Sequence, residues 1–155
     1  MKTEFKGSEI ETIITYLTQP VRQRMKVMNM RRPSIRDSEK QGAYNIYSIE
    51  DALWFEIYSN IRSKIHSQIE SVIIANNINM KNVIAGGRHD NQGTWKEFNF
   101  YVQYSVTHGN ITSDSNDYLA SLSEIQNKPG LKTVLVINVQ GIKEELFNRI
   151  NLLFP

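Results

Sequence analysis

Hydrophobic and polar positions alternate most regularly in residues 82–109, NVIAGGRHDNQGTWKEFNFYVQYSVTHG. From Phe98 onward the apolar set Phe98, Phe100, Val102, Tyr104 and Val106 takes every second position. Glu97, Asn99, Tyr101, Gln103, Ser105 and Thr107 fall between them. A period of two sends one set to each face of a strand, so the spacing predicts a strand over 94–108 with one face on a core. The other face is left to water or to a partner. Ahead of it, Gly86 to Gly93 is rich in turn formers, and Val83–Ala85 reads as a short strand. Together they predict a hairpin with a long loop.

A longer period governs the preceding stretch. Trp54, Tyr58, Ile61, Ile65, Ile69, Val72 and Ile73 recur mostly at threes and fours, which predicts one helix over 49–75. Ser48 followed by Asp51 supplies its start, and Asn76, Asn77 and Asn79 its exit. Leu53, Phe55 and Ile57 make its first turns apolar around most of the circumference, so that end should be buried on several sides. Ser8 and Glu11, with Ile10, Ile13, Ile14 and Leu17, predict a first helix over 9–19, stopped near Pro20. Asp114 and Asp117 open a short helix carrying Tyr118, Leu122 and Ile125, and Lys128-Pro129-Gly130 is a turn. Thr133–Val139 is β-branched and apolar almost throughout, the pattern of a central strand covered on both faces. Gly141 punctuates before a last amphipathic helix with Ile142, Leu146, Ile150 and Leu153. Tyr44–Tyr47 offers one further strand.

Helices mixed with strands, including a hairpin, define an α+β class. The expected architecture is a small, mostly antiparallel sheet of three to four strands packed against a long central helix and shorter helices. Residues 1–42 read as an N-terminal helix and basic arm, and 43–155 as the α+β core domain.

Composition narrows this picture. At 155 residues with 40% hydrophobic and 22% charged content, the chain can bury a core without metal or disulfide support. The absence of cysteine removes disulfides and thiolate metal sites. No apolar run reaches the length of a membrane span, and the N-terminal residues lack the apolar centre of a signal peptide. Use in the cytoplasm, or delivery by a particle or secretion machine, is therefore expected.

Charge alters the picture more. The net charge of +2 conceals a run, residues 22–40, in which seven basic residues face two acidic ones, for +5 against −3 over the rest of the chain. Its cations include Arg22, Arg24, Lys26, Arg31, Arg32 and Arg36. Charge concentrated this way suits an anionic partner, either nucleic acid or an acidic protein surface. Met25, Val27, Met28 and Met30 lie among the charges without a clean period, so helix and extended arm both remain open. A solvated linker is the plainer reading of the same run.

The chemistry-bearing residues cluster on and beside the predicted hairpin. A metal-independent ribonuclease needs a base for the 2′-hydroxyl, an acid for the leaving oxygen and a cation for the phosphate. His89 and His108 are the proton-shuttle candidates, Arg88 and Lys96 the cations, and Tyr101 a residue to stack on or hydrogen-bond a base. Small bacterial toxin nucleases place such residues on a helix-backed antiparallel sheet, an analogy of architecture alone. Against it, His89 and His108 stand about fourteen strand positions apart, ~45 Å if extended. A solvated loop residue and a strand terminus are the plainer reading of the pair. Arg62-Ser63-Lys64-Ile65-His66 is similar to the arginine-to-histidine motif of the all-helical HEPN ribonucleases, but its three-residue spacer is short and the strands do not suit that fold. No HExxH, close histidine pair or phosphate-loop signature is present, so no metal or cofactor is expected. Two functions are therefore expected in competition. One is a small nucleic-acid-directed domain, RNA before DNA, of the metal-independent toxin ribonuclease kind. The other is a non-enzymatic subunit of an oligomeric assembly such as a phage head or tail, or an inhibitor or immunity-type protein-binding module.

Overall fold

The computed structural model describes residues 1–14, 35–36, 45–65, 67–97, 101–105, 111–113 and 134–155. In chain order these form β1 (Glu4–Lys6), α1 (Gly7–Ile13), β2 (Ile35–Arg36), β3 (Asn45–Ser48), α2 (Ile49–Lys64), α3 (Gln68–Asn76) and α4 (Met80–Ala85). β4 (Gly87–His89), β5 (Trp95–Glu97), β6 (Tyr101–Ser105), β7 (Ile111–Ser113), β8 (Val134–Asn138) and α5 (Val139–Leu153) follow. The mixed class is as the sequence predicts, α+β with small antiparallel sheets. The single sheet is not. The described strands divide among three sheets, ordered β1-β3-β2, β4-β5 and β7-β6-β8. Two compact units result, Met1–Ala75 with Glu144–Pro155, and Asn76–Lys143. The sequence boundary near residue 42 lies outside the described residues.

In the first unit the Ser48 signal sets the start of α2. The Ser48 hydroxyl accepts from the Asp51 amide at 3.3 Å, and the Asp51 carboxylate accepts the Ser48 amide at 2.9 Å. This reciprocal box satisfies donors that a helix end otherwise strands. From Asp51 to Ser59 every residue of α2 is buried, which agrees with its apolar first turns. Trp54 stacks on Tyr58 with ring planes 2° apart and centroids at 5.3 Å, and Phe55 meets Trp54 and Tyr47 edge-on. Phe5, Ile10, Ile13 and Ile14 from β1–α1, Ile74 from α3, and Leu146 and Ile150 from α5 are buried with them. Arg149 fixes α5 to this core. Its guanidinium donates to the Ile13 carbonyl at 2.6 Å and stands 3.3 Å from the buried Glu56 carboxylate.

Several local expectations are corrected. The predicted helix 49–75 is two helices. Ile65 takes extended angles at the end of α2, and Ser67 opens α3 by accepting from the Glu70 amide at 3.3 Å. The first helix starts at Gly7 rather than residue 9, because Glu9, not Glu11, accepts the amide three residues back, at Lys6. It ends at Ile13 with Ile14 extended, short of the predicted residue 19. Val83–Ala85 is helical, since Asn79 caps the Asn82 amide and a left-handed Gly86 closes the helix behind it. The stretch 94–108 is not one ladder. β5 pairs with β4, whereas β6 pairs with β7 and β8. Within that described sheet β6 is central and β8 stands at the end of the order, the reverse of the expectation for Thr133–Val139. Gly141 does not interrupt but lies inside α5, where its amide donates to the Asn138 side chain at 2.9 Å. The strand expected at Tyr44–Tyr47 is found as β3 over Asn45–Ser48, the middle strand of the first sheet, with Tyr44 outside the described residues. The helix at Asp114 and the turn at Lys128 lie outside the described residues. Among those residues no helix is long and apolar enough to cross a membrane.

Candidate functional site

Gly87 to Glu97 forms a short antiparallel hairpin in the second unit, with Gly87 opposite Glu97, Arg88 opposite Lys96 and His89 opposite Trp95. Its turn is far tighter than the long loop expected from sequence. The Gly93 amide donates to the Asp90 carbonyl at 3.0 Å, and the Asp90 amide to the Thr94 carbonyl at 2.8 Å. Gly93 adopts φ 80°, as the last position of a three-residue hairpin loop with a bulge requires. The Asp90 side chain organises the rest, one carboxylate oxygen accepting from the amides of Gln92 and Thr94, each at 2.9 Å. Its other oxygen lies 3.0 Å from the Lys96 ammonium. The Thr94 amide, with the Lys96 ammonium next, holds this carboxyl below its usual range.

Directly opposite residues share a face of a two-stranded ribbon. Arg88 and Lys96 therefore stand on one face, with Asp90 reaching Lys96 there, and His89 and Trp95 stand on the other. Arg88, His89, Trp95 and Lys96 are all exposed. The His89 and Trp95 rings meet edge to face at 5.2 Å and 71°. His89 Nδ1 lies 2.9 Å from the Gly93 carbonyl oxygen. A carbonyl only accepts, so Nδ1 carries the proton and neutral His89 keeps its lone pair on Nε2. Gly87 is the third part of this face. A β-carbon there would stand 2.8 Å from Trp95 Cζ2 and would run into the Lys96 carbonyl oxygen. Glycine is thus what lets the indole and the facing strand come this close.

Of the residues expected to act, the structure puts His89, Arg88 and Lys96 on one hairpin, with His89 on the face opposite the two cations. Tyr101 begins β6 and pairs with Asn138, so it belongs to a different sheet from the hairpin. Arg36 lies in β2 opposite Asn45, so residues 35 and 36 of the basic run are strand. His108, Arg22, Arg24, Lys26, Arg31 and Arg32 lie outside the described residues, as does His66. Arg62 donates to the Ile65 carbonyl at 3.1 Å across the end of α2. Trp95 is the residue that sequence reasoning missed. It falls before the alternating run, and its one signal is a tryptophan immediately after the turn sequence Asp90–Thr94, where no core period claims it. The hairpin supplies one proton acceptor, two cations and an aromatic platform, an arrangement that can hold an anion and an unpaired ring. No family model matches the chain, and no curated protein is significantly similar to it.

Proposed function

We propose that the chain is a small nucleic-acid-directed domain that takes RNA in preference to DNA. The observation that carries this reading is the exposure, on one hairpin, of Arg88, His89, Trp95 and Lys96. Single-stranded nucleic acid is held by exposed aromatic and cationic groups, and this hairpin carries both, the aromatic pair on one face and the cations on the other. The hairpin's two cations are matched by Asp90 and Glu97, so its own charge is zero. Long-range attraction for phosphate is assigned instead to the basic run of residues 22–40, with Arg22, Arg24, Lys26, Arg31, Arg32 and Arg36. RNA cleavage of the metal-independent toxin type would extend the same reading. His89 Nε2 would accept the 2′-hydroxyl proton, while Arg88 and Lys96, on the opposite face of the ribbon, would hold neighbouring phosphates of the strand rather than the reacting one. The expected proton donor, His108, lies outside the described residues.

Incubation of the purified chain with mixed-sequence RNA, with and without chelator, tests both levels. Binding should weaken steeply with salt, and any cleavage should survive chelator and be lost in His89→Ala. RNA left intact by both proteins removes the enzymatic level, and failure to bind RNA at low salt removes the reading itself.

A second reading rests on a different observation. Ile69 and Ile73 stand one turn apart on α3 with 66% and 48% of their surface exposed, and Leu152 and Leu153 are exposed at the end of α5. Large aliphatic side chains left in water in this way suit a subunit of an oligomeric assembly or a protein-binding module. Sedimentation across a concentration series decides this. A concentration-dependent oligomer that dissociates in Ile69→Ser/Ile73→Ser supports it, and a monomer throughout dismisses it.

A further inference from the structure

Resting on the nucleic-acid reading, the geometry points to Trp95 as a stacking platform for a single unpaired nucleobase, braced by Gly87 and His89. The ligand class that follows is single-stranded RNA or a looped-out base, not duplex.

Four features of the hairpin lead there. Trp95 is an indole with 45% of its surface in water, on a strand whose three residues are all exposed, so no core claims it. It is nonetheless held in place, with the His89 ring edge on it and Gly87 leaving the space that its ring atoms approach. His89 is fixed in turn by its bond to the Gly93 carbonyl, and Gly93 by the Asp90 turn. A ring already ordered in the free protein loses little freedom when a second ring stacks on it. Fourth, the bond at Nδ1 turns Nε2 outward as an acceptor beside the platform, suited to a base-edge amino group or a ribose hydroxyl.

Duplex does not fit this site. Base faces inside a helix are covered by their neighbours, and only an unstacked base offers one to an indole. Charge sets this contact apart from the basic run of residues 22–40. Because Arg88 and Lys96 are balanced by Asp90 and Glu97, stacking at Trp95 releases few counterions and should be nearly indifferent to salt. Salt sensitivity belongs to the basic run instead. The two contributions can therefore fail independently.

The test uses the full chain with oligoadenylate and oligouridylate of roughly eight nucleotides, within the span one small domain covers, and an RNA duplex of matched length. Trp95 and Trp54 are the two tryptophans, and Trp54 is buried. Oligonucleotide should quench the exposed emission of wild type and leave Trp95→Phe unquenched. Affinity should fall about five-fold or more in Trp95→Ala, by a similar factor at about 50 and 500 mM salt, a range over which phosphate contacts are screened. Gly87→Ala, whose β-carbon would push both the indole and the Lys96 carbonyl of the facing strand out of place without removing the ring, should show the same loss. Duplex should bind no better to wild type than to Trp95→Ala. Equal affinity of wild type and Trp95→Ala for the single strands, with binding itself intact, overturns the platform and leaves the nucleic-acid reading standing. If wild type binds none of the three probes at low salt, both fall.

Discussion

Trp54 and Trp95 are the same side chain in opposite circumstances. Trp54 has no exposed surface and lies flat against Tyr58, with Phe55 at its edge. Trp95 has nearly half its surface in water, and its aromatic neighbour among the described residues is His89. The ion pairs repeat the contrast. Glu56 is 3% exposed beside Arg149, which also holds a main-chain carbonyl. Asp90 and Lys96 meet at a similar distance, but at the surface, where water competes for both. In the first unit these groups hold the fold, and in the hairpin the same groups are spent on display. Composition alone does not separate the two roles; burial does.

The sharpest way to break that comparison is to truncate both tryptophans. Trp54→Ala should cost about 3–5 kcal/mol, the usual cost of emptying a large aromatic site in a core. Trp95→Ala should change stability by less than about 0.5 kcal/mol, as a surface substitution does. Urea unfolding monitored by circular dichroism reads both, and comparable losses would show that Trp95 is a core residue. Next in size is Arg149→Met, expected to cost about 2–4 kcal/mol. It removes the cation 3.3 Å from a buried carboxylate and the donor to the Ile13 carbonyl. Lys96→Met, the matched change in the hairpin, should cost no more than about 1 kcal/mol. If the two methionine variants unfold at the same denaturant concentration, the contrast between the pairs is wrong.

The sequence is most informative where one signal has one meaning. Ser48 with Asp51 predicts the start of α2, and the apolar residues that crowd its first turns predict their burial all round. Ambiguity enters where a long period runs over a short break. Ile61, Ile65, Ile69 and Ile73 keep helical spacing straight through residue 66, so the stripe hides the point where α2 ends and Ser67 caps α3. Asn79 reads in the sequence as part of a helix exit, whereas its side chain caps the helix that follows. The pattern predicts a hairpin but misplaces its arms, because Gly86 belongs to the end of a helix and Gly93 to a turn. His89, Arg88 and Lys96 are legible as chemistry. Trp95 is not, since the role proposed for it depends on a neighbour with no side chain, and an empty place leaves no pattern in the sequence.

The smallest expected effect concerns pH, and it sets Asp90 beside Glu9. Both carboxyls are held below their ordinary values of 3.8 and 4.5. The Thr94 amide does most for Asp90, and the hydrogen bond from Lys2 most for Glu9. A carboxyl whose folded pKa lies below its unfolded one binds its proton more tightly when unfolded. Its contribution is therefore fully present above the ordinary value and is lost as pH falls through the folded one. For both residues that window lies below about pH 4.5. The two places should nonetheless respond differently. Protonated Asp90 releases Lys96 and loosens the turn that carries Gly93, the acceptor for His89. Protonated Glu9 loosens the salt bridge at 2.6 Å to Lys2, whose ammonium also lies 4.4 Å from the Phe154 ring centre. In an acid titration followed at single residues by NMR, the amides of Gln92 and Thr94 should shift with Asp90 while the resonances of α2 stay put. Asp90→Asn should remove that step and leave the one at Glu9 unchanged. A single transition shared by Gln92, Thr94 and the residues around Trp54 would mean that the hairpin is no separate device but melts with the core.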